Sequence, residues 1–311
     1  TVTGGRAVGA ASSPSAGGNG GAVYVAGGLL TLANTTISGN SAARSGGGIY
    51  AHEGAVNVST GTISGNSARL TGGVSGFDND IRITNSIISG NTGGGVGGTY
   101  GDLQVIYSTV SNNTGDGIDY GGGNVSVTNS TISGNTRGIV VTGGDFALDL
   151  ELTHSTVTRN AQTGVLAYSA GEGIEIILNR SLIAGNSRSE ISADAEYTLV
   201  TAGNSNVLGH SGDARITGFN PGSTDIVPRQ PLNAILNPTL ADNGGFTRTH
   251  ALVAGSPAID AVNDGTCPPP TRDQRGITRP RDGNGDGGPA CDAGAVEYVA
   301  SPGIPPASAL P

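Results

Sequence analysis

The chain repeats one short phrase: an Ile or Val, two further residues that are mostly small or polar, and then Asn. It occurs at Ile37–Asn40, Ile63–Asn66, Ile88–Asn91, Val110–Asn113, Ile132–Asn135, Val157–Asn160 and Ile183–Asn186. Successive copies lie 26, 25, 22, 22, 25 and 26 residues apart. Helical hairpin repeats run to roughly 33 residues or more, so this period suits one coil of a three-stranded solenoid instead.

Two further anchors recur in each coil. One follows the Asn after a Gly-rich turn, at Ile49, Val74, Val96, Ile118, Ile139, Val165 and Ile191. The other alternates with period two, as in Val56 and Val58, Ile81 and Ile83, Leu103 and Val105, Val125 and Val127, Leu148 and Leu150, and Ile174 and Ile176. Alternation sends one face inward. Equivalent strands of neighbouring coils then stack in parallel at about 4.8 Å. The predicted fold is an all-β parallel β-helix of three short strands per coil. Val23, Leu30 and Leu32 extend the pattern upstream, and Val200 and Val207 extend it downstream. This makes about eight to nine coils and a rod roughly 40 Å long.

Composition agrees with a thin core. Gly numbers 55 of 311 residues, aromatics are 4%, and Lys, Met and Trp are absent. The net charge is −9, and the 15 basic residues are all Arg and dispersed. No basic stripe is available to neutralise phosphates, which argues against a nucleic-acid partner. No run approaches the roughly 20 apolar residues of a transmembrane helix. The opening at Thr1 fits a mature exported product. The two cysteines, Cys267 and Cys291, read most simply as one disulfide formed in an oxidising compartment.

The recurrent Asn40, Asn66, Asn91, Asn113, Asn135, Asn160 and Asn186 are expected to form a structural ladder, each amide bonding to its neighbours and to turn backbone. The phrases Ile37-Ser-Gly-Asn40 and Gly46-Gly-Gly-Ile49 resemble the repeats of polymorphic outer-membrane proteins and related bacterial right-handed β-helix surface proteins. That resemblance implies a right-handed helix.

The repeat fades after about residue 220. Two strings follow: Asn237-Pro-Thr-Leu-Ala-Asp-Asn-Gly-Gly-Phe-Thr-Arg-Thr-His250 continuing to Asp260, and Asp273-Gln-Arg-Gly276, Arg279-Pro280 and Cys291-Asp-Ala-Gly-Ala-Val-Glu297. Together, over residues 233 to 298, they resemble the choice-of-anchor Q domain of bacterial surface proteins. The resemblance implies a domain that closes a β-helix, and export to an extracellular or cell-surface location. The expected organisation is therefore a Gly/Ser-rich segment (1–20), the β-helix (21–220), a loop-rich C-terminal cap over the last open coil (221–298) and a Pro-rich tail (299–311). The cap is expected to be pinned by the disulfide, with Asp260, Asp273, Arg275 and Glu297 in structural ion pairs.

Catalytic signals are weak. β-Helix lyases and hydrolases need paired carboxylates, or bound Ca²⁺ with a basic side chain. The acids Asp78, Asp80, Asp116, Asp119, Asp145, Asp149, Glu151, Glu172 and Glu175 have no diagnostic neighbour, and His52, His154, His210 and His250 are scattered. No catalytic residue and no organic cofactor is assigned. Asp282, Asn284 and Asp286 resemble the opening of a Ca²⁺ loop, but the twelfth position from Asp282 is Ala293 rather than Glu. Ca²⁺ remains the one metal to consider. Unequal coil lengths also disfavour a regular Thr lattice for ice binding.

The expected function is thus a non-catalytic extracellular surface protein. It would act by adhesion to cell-surface or matrix glycans, or by head-to-tail self-assembly through residues 17–25 and the tail. The alternative is a carbohydrate-binding or carbohydrate-cleaving β-helix, for which aromatic residues should cluster on one face.

Overall fold

The computed structural model describes residues 1–7, 18–144, 147–169, 171–262, 267 and 269–300. Three columns of strands stack into a parallel β-solenoid of about eight turns. The first face has nine strands: Val2–Thr3, Thr36–Ser38, Thr62–Ser64, Ile87–Ser89, Thr109–Ser111, Thr131–Ser133, Thr156–Thr158, Leu182–Ala184 and Val207–Leu208. The second face runs from Val74–Phe77 through Gly94–Thr99, Asp116–Gly121, Ile139–Gly143 and Thr163–Ser169 to Ser189–Ala193. The third runs from Asp80–Thr84 to Thr198–Asn204. At the N-terminal end the long strands Val23–Ala33 and Ile49–Ser59 pass from the second face to the third without a break.

Registers align each anchor with its equivalent one coil away. Ile63 pairs with Ile88, Val96 with Ile118, and Leu103 with Val125. These β-branched and Leu side chains point inward and are fully buried in one continuous core. One register differs from the sequence expectation. Val125 and Val127 align with Leu150 and Leu152, while Leu148 precedes them and pairs with Ile174. Strand Leu148–Thr153 has gained two residues at its start, so this coil buries three leucines on that face instead of two.

Turns are set by left-handed backbone. In the Ser-Gly-Asn corner, Gly39, Gly65, Gly90 and Gly134 have φ between 62° and 70°. Asn112 and Arg159 take the same conformation where Gly is missing, with φ of 54° and 56°. Asn reaches this region at low cost and Gly at almost none.

Only the start of the C-terminal module extends the last coil, where Ile226 pairs in parallel with Val207. That end is closed by Ala214, Ile216 and Phe219, which pack against the solenoid core. The rest of the module instead runs back along the outside of the first face. The reason lies in the outward residues there: Leu182, Ala184 and Val207 are apolar and require cover. They join Ile235, Leu236, Leu252, Ala258, Ala261, Ala293, Ala295 and Val296 in a second core. Further along, the outward hydroxyls take over as the docking surface. Thr131 Oγ1 donates to Gln274 Oε1 (2.7 Å), Thr109 Oγ1 donates to Arg248 O (2.6 Å), and Ser133 Oγ meets His250 Nε2 (2.8 Å).

Within the module, Cys267 and Cys291 form a disulfide with 5.8 Å between Cα atoms. Closing its 24-residue separation contributes roughly 3 kcal/mol in the chain-entropy account. Asp273 is clasped by Arg275 at 2.6 Å. Glu297 pairs with Arg279, both wholly buried. Asp260 has no Arg partner in this cluster and instead accepts the N–H groups of Gly283 and Asn284. The only helix among the described residues is the 3₁₀ turn Leu232–Ala234, and no helix is long and apolar enough to cross a membrane.

Candidate functional site

The coils are not equally long, and the difference shapes the surface. Asn40 and Ile49 lie nine positions apart and Asn66 and Val74 eight, but Asn91–Val96 and Asn113–Ile118 take five. The two long turns therefore stand up as a wall carrying Arg44, Arg69, Leu70 and Thr71. Three coils after Val74, the corner after Ile139 lengthens: eleven positions separate Ile139 from Leu150, against seven from Ile118 to Val125. Between these raised parts, the short middle coils form the floor of a groove of about 620 Å³, bordered by Arg44, Leu70, Thr71, Tyr50, Phe77, Tyr100, Asp119 and Thr142.

The floor is nearly free of side chains. Gly76, Gly97, Gly98 and Gly121 line it. A Cβ on Gly98 would lie 2.5 Å from the Tyr120 ring, which fills the space beneath. Along one margin the aromatic residues gather. Tyr24 and Tyr50 stack with ring centres 5.7 Å apart, His52 stacks on Phe77 at 5.6 Å, and Tyr100 meets Phe77 edge-on at 5.5 Å. Parallel register produces these pairs, because Tyr24 aligns with Tyr50 and His52 with Phe77 on adjacent coils.

Charge lies on the other side. A second depression of about 470 Å³ shares Leu70, Thr71 and Asp119 with the first and adds Arg69, Asp116, Arg137 and Gln162. Arg137 grips Asp116 through two hydrogen bonds, Nε to Oδ1 at 2.7 Å and Nη2 to Oδ2 at 2.6 Å. Desolvation in the groove and the charge of Asp116 raise the Asp119 carboxyl above its usual range, against the pull of Arg137. The arrangement offers ring faces, a backbone floor and fixed donors and acceptors. Such a surface can stack and hydrogen-bond a polyhydroxylated chain. Among the described residues lining these depressions, Asp116 and Asp119 are the only acids, and Asp116 is committed to Arg137.

Other sequence candidates scatter. Asp149 and Glu175 stand opposite each other on the third face. Glu151 accepts from Thr153 and Asn179. Asp80 Oδ1 accepts the Asp102 N–H. Asp145 lies outside the described residues. His210 is near Ser211 Oγ at a surface turn. His250 docks the module, and burial holds its ring down to about pKa 4. Asp282, Asn284 and Asp286 share one exposed turn, where their oxygens accept the N–H groups of Gly285, Gly287, Asp286 and Gly288.

The asparagines occupy the corner after the first face. Asn66, for example, accepts the Asn40 N–H and Nδ2–H through Oδ1, and donates through Nδ2 to Ile37 O and Asn91 Oδ1. The same pattern continues through Asn91, Asn113, Asn135 and Asn160 to Asn186, where Glu190 accepts the Asn186 N–H and Nδ2–H in place of another amide. A second ladder runs at the corner before the first face, through Ser86, Ser108, Ser130, Ser155, Ser181 and Asn206, and ends on Asp225. Its signal in the sequence was a Ser two positions before the Ile or Val anchor in five successive coils.

A family model for the right-handed β-helix region matches residues 17–181. The chain belongs to the right-handed β-helix family. No curated protein matches it. Among solved structures, that of pectate lyase Pel9A superposes on this β-helix with a TM-score of 0.44 and 18% identity, over 89% of this chain and 72% of that one.

Proposed function

We propose that this right-handed β-helix is a non-catalytic module of an exported surface protein and that its second-face groove holds an extended glycan. The observation that carries the reading is the row Tyr50, Phe77 and Tyr100 lining the groove beside a Gly floor, with Tyr24 and His52 stacked on its first two rings. Its non-catalytic character rests on the pairing of Asp116 with Arg137, which leaves Asp119 without a second free carboxyl in the groove. Export is supported by the disulfide and by the resemblance of residues 233–298 to the choice-of-anchor Q domain.

The test is a glycan array followed by calorimetry on any ligand found, with Phe77→Ala and Tyr100→Asn as variants. Asn suits the left-handed backbone of Tyr100, whose φ is 61°. Each variant should weaken binding by roughly tenfold, about what loss of one stacked ring costs, and no new reducing or unsaturated ends should appear. Full affinity in both variants, or cleavage of the bound glycan, would overturn the proposal.

A second reading, self-assembly, is favoured by strand Val23–Ala33. Among the described residues it pairs on one side only, with Ile49–Ser59, and it exposes Tyr24 and Leu29. Open parallel edges accept further strands. Most of the joint expected from the sequence lies on residues 301–311, outside the described residues. Electron microscopy at high concentration decides this: filaments support it and single rods dismiss it.

A further inference from the structure

His154 is misplaced for an ordinary buried histidine. It occupies the left-handed corner before the first face, with φ of 46°, in a column that includes Asn129 one coil before it and Arg180 one coil after. Both neighbours tie the C-terminal module down. Asn129 Nδ2 donates to Arg272 O at 2.7 Å, and Arg180 O accepts the Gly294 N–H at 2.8 Å. His154 lies between them, completely buried, and neither ring nitrogen has a hydrogen-bond partner of acceptable geometry. The backbone of Asp292 favours the protonated ring, but burial and the charges of Arg279 and Arg180 prevail and keep it neutral. A buried imidazole without a well-formed hydrogen bond costs stability unless something else uses it.

What faces it is the disulfide. A ring nitrogen of His154 and the sulfurs of Cys267 and Cys291 all lie within 4.8 Å of one another, and this is the only such group of three His, Cys, Asp or Glu side chains among the described residues. Two sulfurs and a neutral imidazole, supplied from both sides of the docking interface, are the donor set preferred by thiophilic ions such as Zn²⁺. Arg279 and Arg180, close enough to act on the ring, also favour thiolate over thiol. Cys267 is partly exposed, which gives a reductant and an ion a way in.

We infer that Cys267, Cys291 and His154 form a redox-gated metal site, closed as a disulfide and open to Zn²⁺ once reduced. A dithiol delivers two electrons and two protons to the Cys267–Cys291 bond, becoming a disulfide itself and leaving two thiols. Zn²⁺ then displaces both thiol protons and takes a nitrogen of His154 as third ligand, with water free to complete the tetrahedron. The disulfide cross-links the module only to itself, whereas coordination through His154 would tie the module to the first face as well.

The test uses the full chain, reduced with a phosphine, desalted without oxygen and titrated with Co²⁺ as a spectroscopic stand-in for Zn²⁺. One equivalent should bind with a thiolate-to-cobalt charge-transfer band and the intense visible bands of a tetrahedral ion, and Zn²⁺ should displace it. The oxidised chain should show neither. His154→Ala should weaken Co²⁺ binding by at least about tenfold, and Cys267→Ser should lose most of the charge-transfer intensity. No binding after reduction, or unchanged affinity and spectrum in His154→Ala, overturns the inference. If His154→Ala does not fold, X-ray absorption at the zinc edge of the reduced wild-type chain decides: a shell containing one imidazole nitrogen supports the site, and a shell without nitrogen from a ring overturns it.

Discussion

Each ladder asparagine places one oxygen and one amide group between two coils, so a single substitution strands partners above and below. Asn113→Ala would leave the Asn91 N–H and Nδ2–H without their shared acceptor, and Asn135 Oδ1 would lose one of its two donors while keeping the backbone N–H of residue 113. Orphaned buried groups cost about 1–3 kcal/mol each, with partial relaxation. Asn113→Ala should therefore lose about 2–4 kcal/mol in a urea titration. Acidic residues in the module set its pH response. Burial pushes the Asp292 carboxyl up to about 6 and Glu297 up to about 8, against the pull of Arg279, which pairs with the Glu297 carboxylate. A carboxyl whose folded pKa is raised keeps its proton longer when folded, so stability is lost as pH rises towards that value. His154 and His250, held down to about 2 and about 4, work in the opposite sense below their usual 6.5. At pH 6.5 the unfolded chain still half-protonates His154 and His250, which offsets Glu297, but from pH 7 to about 8 the histidines are mostly neutral in both states and Glu297 dominates. Stability should fall across that window by up to about 1.4 kcal/mol per pH unit. Thermal melts at pH 7 and 8 check this, and Glu297→Gln should flatten the difference.

At the level of strands and turns, the stacked core was legible because inward residues recur with a fixed phase in every coil. The extra pair of residues in Leu148–Thr153 escaped notice because period-two alternation reads the same after a shift of two. The groove was hidden for a different reason: it arises from differences between coils, and the signal was the run of short intervals between Asn91 and Asn135. The aromatic row needed three-dimensional register, since Tyr50, Phe77 and Tyr100 are separated by 27 and 23 positions. Docking of the module could not be read at all, because Thr109 and Thr131 look like any other solvent-facing Thr. Gln274 is the residue that turns them into an interface. Its amide donates to Thr109 Oγ1 and Thr247 Oγ1 and accepts from Thr131. Gln274→Ala should cost about 2–4 kcal/mol. Hydrogen exchange should show faster opening of residues 271–279 while the solenoid strands stay protected.

Taken whole, the molecule is a rod with a second layer along part of one side. Removing residues 232–311 should leave the parallel strands intact by circular dichroism but uncover Leu182, Ala184 and Val207. Light scattering and dye binding should report association of such a truncated rod, as expected for an exposed apolar patch. The two ladders carry a further meaning. In the runs Asn40 to Asn186 and Ser86 to Asn206, each backbone N–H points to the side-chain oxygen of the next coil, so the ladders have a direction. Glu190 and Asp225 end them with groups that, ionised, accept but cannot donate. The far end is therefore a full stop, and the middle is not. Duplication of a unit such as residues 114–135 would be read as one more syllable, lengthening the rod by about 4.8 Å without rewriting either terminus. A protein built in this way can change its reach in even steps, like a ruler extended from within.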